Sequence, residues 1–456
     1  MRCHKVKIIS TGGLLLCLAL VRPLQTSPLQ AGAKLLALVN TQSEMTGLQS
    51  ELIVSQIGQT DLNHDGYTDS AALLDYRSLQ EDNFDRQNER LQKLAYANRW
   101  IAIALGGPAD SLHLAYLKDL VACHLCGGVY GPPDIEFQVH PHSVSFSAHG
   151  GSNWRWANSR EIAWQGDHFV LASLGLLNYH VTADIEMDTT IDFRHRLARR
   201  DERQLGLLFS NQRQGNPGGP WPSEAEWEAV PRDRFDQAQW LIHGARQWQG
   251  PADSSLELAS VWDSGGLYLR IRVRDDVLVR CEKTTLACDH IEIWLWPRGY
   301  YSIFDEYDQE QRSSRQTKPT AGPELQTGLL QWGALVNPER TSVLHDLLNQ
   351  YKAIPQSRSL ITWRKDGFQM DVFLPAQTLQ SGLRQADQSW QAFRMMGLSV
   401  VYSDTDSVTR PAQDTLIGSS QLQWGRAASL GIVHLWPGSY RLPDPDFNLF
   451  APLAGD

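Results

Sequence analysis

The stretch DLNHDGYTD places oxygen-bearing side chains at alternate positions, Asp61, Asn63 and Asp65, and follows them with Gly66. That spacing lets a loop wrap a hard cation such as Ca²⁺, which takes roughly six to eight oxygens, while the glycine permits the sharp turn. Tyr67 offers a backbone carbonyl and Asp69 a further carboxylate, but Ala72 stands where a bidentate glutamate would complete a helical calcium hand. Asp61, Asn63, Asp65, Tyr67 and Asp69 are therefore expected to hold a Ca²⁺. Its role would be structural, because no nucleophile flanks the loop.

A second chemistry lies in the aromatic residues. The chain has 16 Trp against 13 Tyr and 13 Phe, and flat indoles serve either as sandwich core or as stacking surfaces. In GLYLRIRVRD, Leu267, Leu269, Ile271 and Val273 alternate with Tyr268, Arg270, Arg272 and Arg274. In DHIEIWLW, Ile291, Ile293 and Leu295 alternate with Glu292, Trp294 and Trp296. Such alternation marks strands with one packed and one open face. A pyranose ring stacks its apolar face on indole or phenol while Arg and Glu bond its hydroxyls. Tyr268, Arg270, Glu292, Trp294 and Trp296 thus form a candidate ligand-binding set for a glycan or polysaccharide, provided the two strands are neighbours. Trp154, Trp156, Trp262 and Trp424 are expected in cores, and His140 and His142 as a satisfied pair on one strand face. Asp275, Asp276, Asp404 and Asp406 could supply the carboxyl pair, about 5 Å apart, of a retaining glycosidase. They fall at strand ends and turns, where acidic residues are routine, so binding without catalysis is the expectation. The alternative is a structural or protein-interaction component of the cell envelope.

The cysteines set the compartment. Cys123 with Cys126, and Cys281 with Cys288, make two close pairs, as expected of disulfides in an exported chain. Zinc at the first pair would need two more ligands, with His124, His140, His142 and His149 the nearby candidates. Arg2, Lys5 and Lys7 precede the apolar run from Ile8 to Val21, too short to span a bilayer, and Ala31-Gly32-Ala33 offers a small-residue cleavage site. Residues 1–33 therefore read as a signal peptide of a secreted or periplasmic protein with no transmembrane segment in the mature chain. A net charge of −10 excludes a dedicated nucleic-acid binder.

These residues need elements to position them. The run NQRQGNPGGPWPS, 211–223, reads as a linker between a calcium-loop domain at 34–210 and a β-sandwich at 224–440, with 441–456 an irregular tail. The fold class is mainly β: a C-terminal antiparallel, jelly-roll-like sandwich preceded by a smaller β-rich or α+β domain. Helices are expected only over Asn83 to Tyr96 and Thr341 to Lys352.

Two family resemblances run along the chain. TDLNHDGYTDSAALL resembles the loop-then-strand signature of exported proteins of the FG-GAP and VCBS type. LCGGVYG and HGGSNWRWANSREIAW follow in an order similar to an uncharacterised bacterial envelope domain, over about residues 50–195. SVWDSGGLYLRIRVRDD, DHIEIWLW, GFQMDVFLP, LSVVYSDTDS and the closing segment Trp424 to Leu435 resemble the carbohydrate-binding module family 9-like (DOMON-like) sandwich, over about 224–437. The resemblance implies sugar binding. A long insertion at 297–328 departs from the family pattern.

Overall fold

The computed structural model describes residues 27–42, 47, 51–79, 88–183, 185–213, 219–280, 288–302, 304–308, 328–336, 341–342, 344–347, 352–381, 395–406, 413–437 and 441–447. Helix α1 (Pro28–Val39) starts at Ser27, whose hydroxyl caps Gln30 N, with Pro28 in the first turn. An antiparallel sheet follows: β1 (Leu52–Thr60), β2 (Asp69–Tyr76), β3 (Arg99–Gly107) and β4 (Ser111–Val121), with α2 (Glu89–Tyr96) between β2 and β3. The apolar run SAALL is unbroken because β2 is covered on both faces. Leu35 and Val39 of α1 pack on one side with Leu74 and Ala102, while Leu73, Ile101 and Ile103 meet Val144, Phe146 and Ile162 on the other.

Those last residues belong to an antiparallel meander of β5 (Asp134–His140), β6 (Ser143–Gly151), β7 (Trp154–Gln165), β8 (His168–His180), β9 (Ile185–Asp192), β10 (Leu197–Arg200) and β11 (Arg203–Gln212). The remainder comprises α3 (Glu224–Glu228), β12 (Asp233–Phe235), β13 (Leu241–His243), β14 (Ser254–Asp263), β15 (Gly266–Asp275), β16 (His290–Trp296) and a short helix α4 (304–308). Next come β17 (Leu330–Leu335), β18 (Thr341–Ser342), β19 (His345–Asp346), β20 (Lys352–Ala353), β21 (Arg358–Arg364), β22 (Gly367–Pro375), α5 (Ala376–Ser381), β23 (Met395–Asp404), β24 (Thr415–Gly418) and β25 (Gly431–Trp436).

The pairings give two facing sheets. In one, β14, β15, β22 and β21 lie side by side; in the other, β24 and β25 share one edge of β23, followed by β16 and β17. The aliphatic faces read from alternation meet between them, with Leu267, Leu269, Ile271 and Val273 in one core with Ile291, Ile293 and Leu295. Burying each such side chain stabilises by about 1.5–3 kcal/mol. The chain is thus mainly β and its C-terminal part a sandwich.

The described residues bear on four expectations. The helix over Thr341 to Lys352 is not found among the described residues; β18 pairs instead with β21, β19 with β17 and β20 with β19, and Leu344 enters the sandwich core. Tertiary pairing outweighs the local helical spacing. The boundary at 211–223 begins inside β11, where Asn211 and Gln212 pair with Val261 and Trp262 of β14. Strand β11 pairs with β10 at its start and runs parallel to β25 and β14 further on, so it belongs to both ladders. The described part of the tail packs: Phe447 joins the core with Phe193, and Pro443 O accepts from Leu171 N at 2.8 Å. Cleavage after Ala33 would cut α1 among the buried residues Ala31, Leu35 and Val39. Residues 1–26 lie outside the described set. Of the expected helix at Asn83 to Tyr96, the part seen is α2.

Candidate functional site

The five residues chosen as a sugar site do not converge. Strands β15 and β16 follow one another in sequence but lie in opposite sheets, so Tyr268 and Arg270 face outward on one side of the sandwich and Trp294 and Trp296 on the other. Nor are these outer faces open: Tyr268, Arg270, Glu292, Trp294 and Trp296 are all buried. Helix α3, held by a capping box between Ser223 and Glu226, lays Trp227 over the first face. Arg270 grips Asp371 through two 2.8 Å bonds and Glu224 through one of 2.7 Å, with its guanidinium 4.7 Å from the Trp227 ring centroid. Tyr268 donates to Asp263 at 3.2 Å, with Arg213 over its ring.

On the second face, Glu292 accepts from Trp294 Nε1 and Gln331 Nε2, each at 2.9 Å, and lies 3.3 Å from His290 Nε2. Burial raises the carboxyl's pKa, but His290 and these donors outweigh it and hold it below the ordinary range. Trp294 and Trp296 pack beneath Ile185, Met187, Tyr301 and Leu430. The apolar side of the alternation lies in the sandwich core. The opposite side became a second packed layer rather than a binding face.

Exposed rings occur one layer further out. Phe304 in α4 is 60% exposed and Trp424 is 48% exposed. Trp154, half-buried rather than core, has its ring centroid 5.1 Å from Phe304, 5.3 Å from Tyr307 and 4.7 Å from His180. Trp424 lies edge-on to Trp294 at 6.3 Å. An ion pair from Arg426 to Glu306 at 3.4 Å joins the two parts of this seam. The arrangement sets aromatic faces beside a cation and a carboxylate at the surface. Alternation within 290–296 could not reveal it, because α4 and the 424–426 turn arrive from distant parts of the chain. Trp156 lines a separate cleft of about 340 Å³ with Asn98, Asp119, Asn158, Arg160 and Asp446. There Arg160 is engaged by the carbonyls of Pro445 and Phe447.

The calcium loop forms the turn between β1 and β2. Asp61 Oδ2 accepts from Gly66 N at 3.0 Å and Asp65 Oδ1 from Tyr67 N at 2.8 Å, with Gly66 at φ +87°. Asp61 Oδ1 is buried without a partner, an acceptor that a cation would satisfy. Asp69 behaves differently from a rim ligand: it is fully buried and holds Leu62 N at 2.6 Å and Gly106 N at 2.7 Å. Burial raises its pKa, against those two amides. Asp61, Asn63, Asp65 and Tyr67 fit a cation better than Asp69 does.

Cys123 and Cys126 are joined as a disulfide, and His124 between them bonds Asp75 at 2.7 Å, which removes the zinc reading. Cys288 is also disulfide-bonded; Cys281 lies outside the described residues. His142 sits in the turn after β5 and stacks on His64 at 3.5 Å, while His140 contacts Ser145. The expected His140–His142 pair is therefore not formed. Among the described residues no helix is long and apolar enough to cross a membrane.

No family model and no curated protein matches the chain. Solved structures similar to it include a carbohydrate binding module family 9 from Caldicellulosiruptor kristjanssonii in complex with cellotriose, at 14% identity and TM-score 0.33, covering 51% of this chain and 94% of that one. The same organism's module in complex with glucose is similar at 14% identity and TM-score 0.33, covering 52% and 98%.

Proposed function

We propose that the chain is an exported, non-catalytic glycan-binding protein whose stacking surface is the seam of Trp154, Phe304, Tyr307 and Trp424. The observation that carries this reading is the exposure of Phe304, packed on Trp154, and of Trp424, edge-on to Trp294, on two aromatic patches linked by the Arg426–Glu306 ion pair. Exposed rings beside charged hydrogen-bonding groups are the pairing a sugar needs, with a hydrophobic face for its CH surface and polar atoms for its hydroxyls. Export is supported by the N-terminal apolar run and the Cys123–Cys126 disulfide. A structural Ca²⁺ at Asp61, Asn63, Asp65 and Tyr67 belongs to the same reading.

Affinity electrophoresis against soluble polysaccharides, with glucose and cello-oligosaccharides as competitors, tests it. Each exposed ring contributes about 0.5–1.5 kcal/mol, so Phe304→Ala and Trp424→Ala should each weaken binding roughly 2- to 13-fold. If no glycan is retained, or both variants bind like the parent, the reading fails. Capture of a stable envelope protein through this face, without sugar, would favour the interaction-component alternative.

A further inference from the structure

One end of the sandwich gathers carboxylates from both sheets. Asp275 ends β15, Asp289 immediately precedes β16, and Asp404 ends β23. One oxygen from each lies within 4.8 Å of the other two. Asp253 and Asp406 form a second group of the same spacing that shares Asp404. Asp289 and Asp404 are essentially inaccessible, and Asp275 is 4% exposed. Carboxylates this close in so dry a place repel one another unless a positive charge lies between them.

The hydrogen bonds show what the cluster has and what it lacks. Asp275 accepts from Val277 N at 2.7 Å and from the Tyr402 hydroxyl. Asp289 accepts from Val279 N at 2.6 Å and Thr405 N at 2.9 Å. Asp404 Oδ2 accepts from Thr415 Oγ1 at 2.7 Å, but its Oδ1 is buried with no partner. That orphaned oxygen belongs to the one carboxylate common to both groups. The hydroxyls of Ser254, which pairs with Asp275 across the β14–β15 ladder, and of Thr405, next to Asp404, are buried and unpartnered too. The amides and hydroxyls fix the carboxylates in place, and Asp404 Oδ1 keeps its lone pairs to offer.

We propose that Asp275, Asp289 and Asp404 form a divalent-cation site of the calcium class that ties the two sheets together at this end. All donors are oxygens, with no Cys or His in either group, which selects a hard cation. Ca²⁺ accepts a shell built mostly of protein oxygens, whereas Mg²⁺ retains several waters that so buried a site would exclude. The site is separate from the Asp61 loop, and it stands whether or not the aromatic seam binds glycan.

The test uses the full-length mature chain, stripped with chelator and titrated calorimetrically with CaCl₂. Asp61→Asn combined with Asp65→Asn disables the loop and leaves the cluster intact. This variant should still bind one Ca²⁺ and still melt at a higher temperature with Ca²⁺ than with chelator. Adding Asp404→Asn should weaken that binding by at least the roughly 10- to 100-fold that losing an outer-shell partner costs, and abolish the Ca²⁺-dependent shift while circular dichroism stays native. A loop-disabled chain that binds no Ca²⁺ overturns the proposal. So does unchanged binding after Asp404→Asn. If the triple variant does not fold, Asp275→Asn in the same background gives the same decision.

Discussion

Replacing Arg270 separates a structural role from a ligand-binding one. Arg270 is buried, and its two bonds to Asp371 are with a carboxylate that is itself buried. Arg270→Ala leaves Asp371 as an isolated charge in a dry layer, with Gln369 Nε2 at 3.4 Å its remaining side-chain donor. Breaking a buried pair from one side destabilises by about 3–5 kcal/mol. The contact with Glu224 adds little, because that carboxylate is largely exposed and screened. Loss of the cation–π contact with Trp227 adds roughly 0.5–2 kcal/mol. Urea denaturation followed by Trp fluorescence should therefore show Arg270→Ala losing about 3.5–7 kcal/mol at an unchanged m-value. Arg270→Met combined with Asp371→Leu removes both charges and should recover most of that loss, to within about 1 kcal/mol of the parent or better. Glycan retention by the double variant should equal the parent's, since Arg270 lies under α3 on the sheet opposite the Trp294 face. A loss below about 1 kcal/mol for Arg270→Ala would refute the buried-pair reasoning. A folded double variant that has lost binding would return Arg270 to the ligand site.

Two further outcomes are expected. Burial outweighs the attraction of Arg196, 3.2 Å away, and pushes Asp233 up to about 7. A carboxyl raised from 3.8 contributes stability that is full below about pH 4 and is lost as pH climbs to about 7, a fall of at most about 4 kcal/mol. Asp233→Asn should flatten that slope in pH-dependent urea titrations, and an unchanged slope would count against it. For the Asp61 loop, chelator should lower the melting temperature of a chain already carrying Asp404→Asn, and Asp65→Asn should remove the effect; an absent shift would mean the loop works as a turn without metal.

The sequence carried the secondary structure of the sandwich better than its neighbourhoods. Alternation identified the inward faces of β15 and β16 because one side of each is uniformly aliphatic. It could not say that two consecutive strands separate into opposite sheets, which depends on the connection through 276–289. Nor could it foresee the covering layers, since Trp227, Tyr301 and Leu430 come from elements outside the strands they cover. The Asp61 loop was legible as turn chemistry, but the inward turn of Asp69 required knowing that Gly106 of β3 would lie beside it. Asp275 and Asp404 stand out in the sequence only among four acidic residues at strand ends and turns, with Asp276 and Asp406; Asp289, which completes their cluster, does not. Acidic residues at the ends of three strands that finish on the same side of a sheet pair are the signal that would have joined them.

Strand β11 has a consequence for anyone working with pieces of this protein. It fills the gap between β14 and β25 by parallel pairing. A fragment beginning at the Pro-rich stretch near 219 would lack it, leaving two unpaired strand edges and a row of backbone amides and carbonyls seeking partners. Such edges recruit other chains. A C-terminal fragment excised for binding work should therefore self-associate, whereas one that retains the polypeptide from Arg203 keeps the seam closed. The meander and the sandwich are joined by shared hydrogen bonds, so they should unfold together and share one fate in a protease digest.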